Sequence, residues 1–164
     1  MDNPVTSFII ILLISIHLYQ LIDKPIIIYN MKNLFLQKIF STFIHLDGFH
    51  LFQNCITLYN LRFIESMTSS KEYIKMILFL IVINSIIWIT MSELLFIRFS
   101  IGFSGVLFGI ITIYPQNSFF GFNINKYIFP FVMLAFMQLI APNVSFMGHF
   151  IGIISGHLYL YYEN

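Results

Sequence analysis

Four polar side chains interrupt otherwise apolar stretches, and together they have the makings of an acyl-transfer site. Ser104 lies in Gly102-Phe103-Ser104-Gly105. Flanking glycines permit a sharp, crowded turn and the close approach of another chain. A serine that opens a helix also has unsatisfied backbone N–H groups beside it, suited to holding an oxyanion. His149 lies in Gly148-His149-Phe150-Ile151-Gly152-Ile153-Ile154-Ser155-Gly156, one turn ahead of a Gly152-x-x-x-Gly156 face. The segment opened by Ser104 carries its own Gly105-x-x-x-Gly109 pair. Small faces let two membrane helices approach closely. If these two faces meet, Ser104 and His149 come within hydrogen-bond reach. A histidine there can take the serine proton and return it to a leaving amine. His50 and Asn54, four residues apart, share one helix face and can aim two donors at one developing negative charge. His45 lies just before that helix and can fold back over it.

Each element has a plainer reading when taken singly. Gly-x-Ser-Gly and Gly-x-x-x-Gly are also helix-packing patterns, and His50 with Asn54 can simply bond neighbouring helices. His157, eight residues beyond His149, falls near the opposite membrane face, and His17 suits packing near a helix end. His45, His50 and His149 also raise metal chemistry. There is no H-E-x-x-H, Asp47 is the only acid nearby, and a zinc site leaves the glycine-framed serine unexplained. No cofactor is called for.

The elements that must position these residues are membrane helices. Of 164 residues, 59% are hydrophobic and 9% charged. A soluble domain is about a quarter charged, so this chain has too few charges to cover a water-facing surface. A net charge of +1 without a basic run argues against a nucleic-acid partner. The lone Cys55 excludes an intrachain disulfide and a multi-cysteine metal site, and packing is its expected role. The apolar N-terminal run has no Lys or Arg before it and no small-residue cleavage site after it, so it reads as a retained first span.

Six apolar segments can be drawn, at about residues 5–22, 48–64, 76–91, 104–114, 127–140 and 145–162. The connection 23–44 begins at the Asp23-Lys24-Pro25 break. It carries Lys24, Lys32 and Lys38 among apolar residues, which suits amphipathic pieces at the interface. Residues 65–75 form a polar stretch, and Arg98 sits in a short loop. Pro115 with Gln116-Asn117-Ser118 stops the fourth segment, and Pro142 follows the fifth. The fourth segment spans only about 16–21 Å as helix, against a bilayer core of about 30 Å. It therefore begins at membrane depth inside a protein-lined cavity, with Ser104 at its N-terminus. The expected architecture is an all-α polytopic bundle of about six transmembrane helices, one domain over residues 1–164. Lys and Arg fall on several loops, so charge leaves the orientation open. A transporter would call for inverted repeats and carboxylates inside the helices, neither of which is evident.

Together the three stretches resemble the rhomboid family of intramembrane serine proteases. That family pairs H-x-x-x-x-H-x-x-x-N on its second helix with G-x-S-G opening the fourth and G-H-x-x-G-x-x-x-G on the sixth. The matches are His45, His50 and Asn54, then Gly102, Ser104 and Gly105, then Gly148, His149, Gly152 and Gly156. The resemblance covers about residues 5–162. The run Asn143-Val144-Ser145-Phe146-Met147-Gly148-His149 resembles the eukaryotic rhomboid-domain-containing subgroup of early secretory membranes, such as the endoplasmic reticulum. The resemblance implies Ser104 as nucleophile and His149 as general base. It also implies an oxyanion hole of His50, Asn54 and the Ser104 N–H, with Gly102 supporting the turn. It implies single-span transmembrane proteins as substrates, met within the lipid bilayer. Water must reach Ser104, so a polar cavity lined by His45, His50, Asn54, Ser104 and His149 is expected. A non-catalytic member that binds membrane clients for quality control is the alternative; such relatives typically lose the serine or histidine, and both are present.

Three departures stand out. Many family members carry Trp-Arg in the first loop, whereas the only tryptophan here is Trp88 in the third segment. The tyrosine often found four residues after the serine is Phe108, whose ring can still stack on the histidine. The acidic residue closing the second helix falls one position early, at Glu65.

Overall fold

The structure is a computed structural model describing residues 3–22, 32–95, 100–116, 118–141 and 144–163. The Asp23-Lys24-Pro25 break, Arg98, Asn117, Pro142 and Asn143 lie outside the described residues.

The described chain forms eight helices and one very short hairpin. Helix α1 runs Pro4–Ile22, α2 Leu34–Ser41, α3 Gly48–Asn60, α4 Phe63–Thr68 and α5 Ser70–Leu95. Then come α6 (Ser104–Ile113), strands β1 (Ser118–Phe119) and β2 (Phe122–Asn123), α7 (Phe129–Ile140) and α8 (Phe146–Glu163). The strands pair antiparallel around a turn in which Phe120 and Gly121 have positive φ. All six apolar segments appear as helices, α1, α3, α5, α6, α7 and α8. By length and apolarity, α1 and residues Ser70–Ser92 of α5 can each cross a membrane.

Short-range signals set several boundaries. Asn33 Oδ1 accepts the Leu36 N–H at 3.1 Å and starts α2. Asp47 Oδ1 accepts the His50 N–H at 2.8 Å and starts α3. Pro130 occupies the first turn of α7, where a missing N–H costs nothing. The start of α1 is capped from a distance. Glu65 accepts the N–H groups of Val5 and Thr6 at 2.9 Å each, the Thr6 hydroxyl at 2.9 Å and the Ser70 hydroxyl at 2.6 Å.

Several boundaries differ from the sequence expectation, and two of them have a visible cause. The second segment breaks after Asn60, because Arg62 folds its guanidinium over the Tyr59 ring and donates to the Tyr59 carbonyl at 2.8 Å, closing the helix end. The third begins six residues early. Ser69 Oγ accepts the Glu72 N–H at 3.3 Å, and Lys75 pairs with Glu72, so the polar residues 70–75 wind as the first turns of α5. Apolarity marks what lies in lipid, and helix geometry extends past it.

Helix α6 is the axis of the bundle. Every residue from Val106 to Thr112 is buried, and α3, α5, α7 and α8 all pack on it. Its 10 residues reach about 15 Å, half a bilayer core. The outer helices present apolar side chains outward, among them Phe8, Ile11 and Leu21 of α1 and Leu78 and Ile86 of α5. Such surfaces suit lipid rather than water.

Candidate active site

Ser104 and His149 meet because two glycine faces interlock. A Cβ at Gly152 would fall on the Gly105 carbonyl. One at Gly156 would come 2.7 Å from the Gly109 carbonyl, and one at Gly109 would come 3.3 Å from the Gly152 carbonyl. The backbones of α6 and α8 are therefore in direct contact and run parallel, the geometry that small-residue faces allow. At the head of this contact Ser104 Oγ lies 3.0 Å from His149 Nε2. The serine hydroxyl donates in this hydrogen bond when the imidazole carries its proton on Nδ1. His149 is 2% exposed, and its Nδ1 has no partner among the described residues.

The ring of Phe108 stacks on the imidazole, with centroids 4.4 Å apart and planes 20° apart. Phe108 lies four residues after Ser104, so one helix presents both the hydroxyl and the platform beneath its partner.

Gly102 has φ +101°, a conformation that L side chains rarely adopt. A Cβ there would also come 2.7 Å from the His50 ring. The glycine thus makes the turn into α6 and lets His50 approach it. His50 stands edge-on to His45, with ring centroids 5.1 Å apart. Asn54 is buried, and its Nδ2 donates to the His50 carbonyl at 2.8 Å while Oδ1 has no partner among the described residues. One amide hydrogen of Asn54 is committed to its own helix, and one remains.

His50, Ser104 and His149 all sit in the first turn of a helix, and these three N-termini converge. Each helix contributes partial positive charge at that end, and the effect is strongest where water is scarce. The arrangement favours negative charge developing beside Ser104.

Two cavities reach the serine. The wider, about 560 Å³, is lined by Asp47, His50, Gln53, Ser104, Ser145 and His149 together with apolar residues such as Phe49 and Ile140. The narrower, about 60 Å³, runs between α3, α6 and α7 past Asn54, Phe108, Met133 and Met137. His50, Ser104 and His149 line both, and Asn54 lines the narrower one. His45 lines neither, which corrects the cavity expected from sequence. It is 2% exposed and tucked behind Gly102 and His50. His157 is exposed and stands apart from the site, and His17 is buried against the start of α3 near Gly48.

Several residues near the site escaped the sequence reading. Asn84 of α5 is buried against Gly105 and accepts the Ser155 hydroxyl at 3.2 Å. It is a polar residue inside an apolar span, the signal already used for the histidines. Gln53 lines both cavities one residue before Asn54. Residues 100–102 are held by the end of α2. Lys38 Nζ donates to the Ser100 carbonyl at 2.7 Å, Ser41 Oγ donates to the same carbonyl at 3.3 Å, and the Gly102 N–H donates to the Ser41 carbonyl at 3.0 Å. No local pattern announces these contacts.

Residues 32–163 match the family model described as the rhomboid domain. A rhomboid protein of Acanthamoeba polyphaga mimivirus is 26% identical over 156 residues, covering 94% of this chain and 88% of its own. The mitochondrial rhomboid-like protein 14 of Arabidopsis thaliana is 27% identical over 161 residues, covering 88% of this chain and 48% of its own. Rhomboid-like protein 15 of the same plant is 42% identical over 69 residues, covering 38% of this chain and 17% of its own. The chain thus spans about half or less of the length of the two plant relatives. No solved structure matches. With the domain match covering most of its length and the helical bundle built as described, the chain belongs to the rhomboid family, and it is a membrane protein.

Proposed function

We propose that this protein is an intramembrane serine endopeptidase that cleaves the transmembrane segments of single-span membrane proteins. The observation that carries the reading is the 3.0 Å contact between Ser104 Oγ and His149 Nε2 at the head of a helix too short to cross a bilayer.

In the proposed mechanism Ser104 Oγ attacks the scissile carbonyl carbon as His149 Nε2 takes its proton. The carbonyl oxygen becomes an oxyanion facing His50, the second amide hydrogen of Asn54 and the Ser104 N–H. Each such donor contributes about 3–4 kcal/mol to lowering the barrier. The tetrahedral adduct collapses, the C–N bond breaks and the amine leaves with the proton from His149. Water then attacks the acyl-serine ester, again losing a proton to His149, which returns it to the departing Ser104 Oγ as the acid is released. A dyad suffices because Phe108 orients the imidazole by stacking. Water enters through the wider cavity. We place the protein in the endoplasmic reticulum or another secretory membrane, on the residues preceding His149.

A second reading, a non-catalytic client-binding member, draws on one observation. The Asn54 amide is partly spent on the His50 carbonyl. The test is incubation of the purified protein in liposomes with a model single-span substrate. Cleavage by the wild type that disappears in both Ser104→Ala and His149→Ala supports the protease. Binding without cleavage supports the second reading, and residual cleavage by Ser104→Ala rules out the mechanism.

A further inference from the structure

The serine turn is held from behind by residues that take no part in the chemistry described above. Residues 100–102 lead into Ser104, and the last turn of α2 grips them at both ends. The Ser100 carbonyl receives the Lys38 ammonium at 2.7 Å and the Ser41 hydroxyl at 3.3 Å. The Gly102 N–H is held by the Ser41 carbonyl at 3.0 Å. The one hydroxyl hydrogen of Ser41 is shared between the Ser100 carbonyl and the Lys38 carbonyl, the nearer acceptor at 2.8 Å.

Lys38 is itself seated. Its Nζ lies 4.9 Å from the centroid of the Trp88 ring on α5, within the range of a cation–π interaction, for which indole is the best face. A cavity of about 20 Å³, room for roughly one water, separates this seat from Gly102 and Gly105. Burial pushes the ammonium down to about 8, so holding the charge there has a cost. A surface lysine free to point at water would avoid it. The cost is offset by the Trp88 ring and by the hydrogen bond to the Ser100 carbonyl, four residues before the serine.

We propose that Lys38 is a positioning residue for Ser104: its ammonium, seated on Trp88, pins the Ser100 carbonyl and so fixes the turn from which the serine projects. The inference rests on the protease reading for its consequence, and on the α2 contacts alone for its geometry. Gly102 occupies a backbone conformation open chiefly to glycine, which leaves the turn free to relax unless its flanks are held. Relaxation of about 1 Å at Ser104 would separate it from His149.

The test uses the full chain in detergent and two readouts. One is hydrogen exchange at the amides of residues 100–104, which needs no activity. The other is the rate of Ser104 labelling by a fluorophosphonate, resolved into probe affinity and maximal rate. In Lys38→Met, exchange at 100–104 rises and the maximal labelling rate falls about 10- to 100-fold, with probe affinity little changed. Lys38→Arg restores most of both. Either readout left at its wild-type value in Lys38→Met overturns the proposal. A loss explained by global unfolding would raise exchange throughout the chain. If Lys38→Met does not fold, Trp88→Phe carries the test, with a smaller change in the same direction expected and none overturning it. If the wild type takes no label, the protease reading fails, and exchange alone decides whether the clamp exists.

Discussion

The ring of Phe108 lies nearly parallel to the His149 imidazole, 4.4 Å centroid to centroid. This contact holds the imidazole plane so that Nε2 faces Ser104, a task that a hydrogen-bonded carboxylate performs in a triad. It predicts that ring shape matters more than a phenol hydroxyl. Phe108→Tyr keeps the cleavage rate within about threefold of wild type, and Phe108→Leu lowers kcat about 10- to 100-fold with little change in KM. Steady-state kinetics on one model substrate distinguish these outcomes. Equal activity in Phe108→Leu would remove the stacking argument.

The dyad itself makes the largest prediction. Ser104→Ala and His149→Ala each reduce cleavage by about four orders of magnitude or more, and the double variant is no worse than either single one. Non-additivity is the informative part, because two groups that act on one proton are lost together.

Oxyanion donors should separate from the dyad in size. His50→Ala and Asn54→Ala each lower kcat by about 10²–10³-fold while leaving KM nearly unchanged. A fluorophosphonate still labels Ser104 in both variants, more slowly. If KM rises and kcat holds, these residues bind substrate and do not stabilise the transition state.

The glycine interlock predicts a fold effect. In Gly152→Val the new side chain meets the Gly105 carbonyl, and α6 and α8 must part. Overpacking of this kind costs about 1–3 kcal/mol or more. The thermal midpoint in detergent falls, and labelling of Ser104 falls with it because the dyad shares that contact. A variant at exposed Leu139 of α7 serves as the control and moves neither.

Glu65 predicts an acid limb to stability. Its burial opposes ionisation, but hydrogen bonds from Ser70, Thr6 and Val5 outweigh that and hold the carboxyl below its ordinary range. A carboxyl with a depressed folded pKa contributes stability that is present above the unfolded value, about 4.3, and is lost as pH falls through the folded one. Glu65→Gln loses about 1–3 kcal/mol at pH 7 and flattens the dependence below pH 5. Thermal denaturation of both proteins across pH 3–7 tests this. Parallel curves would assign the acid sensitivity elsewhere.

Much of this arrangement was legible in the chain itself. The apolar segments marked six helices, because lipid exposure demands runs of apolar side chains whatever their partners. The short segment opened by Ser104 was visible as too brief to cross. The paired glycine spacings offered two faces that could meet, since a missing side chain is a local property of the chain. Tertiary structure decided what depends on chain paths distant in sequence. It buried His45 behind Gly102, away from the cavity. It brought Glu65 to cap α1, 59 residues away at Thr6. It set Lys38 between Trp88 and Ser100, partners 50 and 62 residues along the chain. None of these contacts has a periodicity, because a hydrogen bond or cation–π pair needs only two groups to meet. Where they meet is set by how the helices pack, and the chain order of residues does not record it.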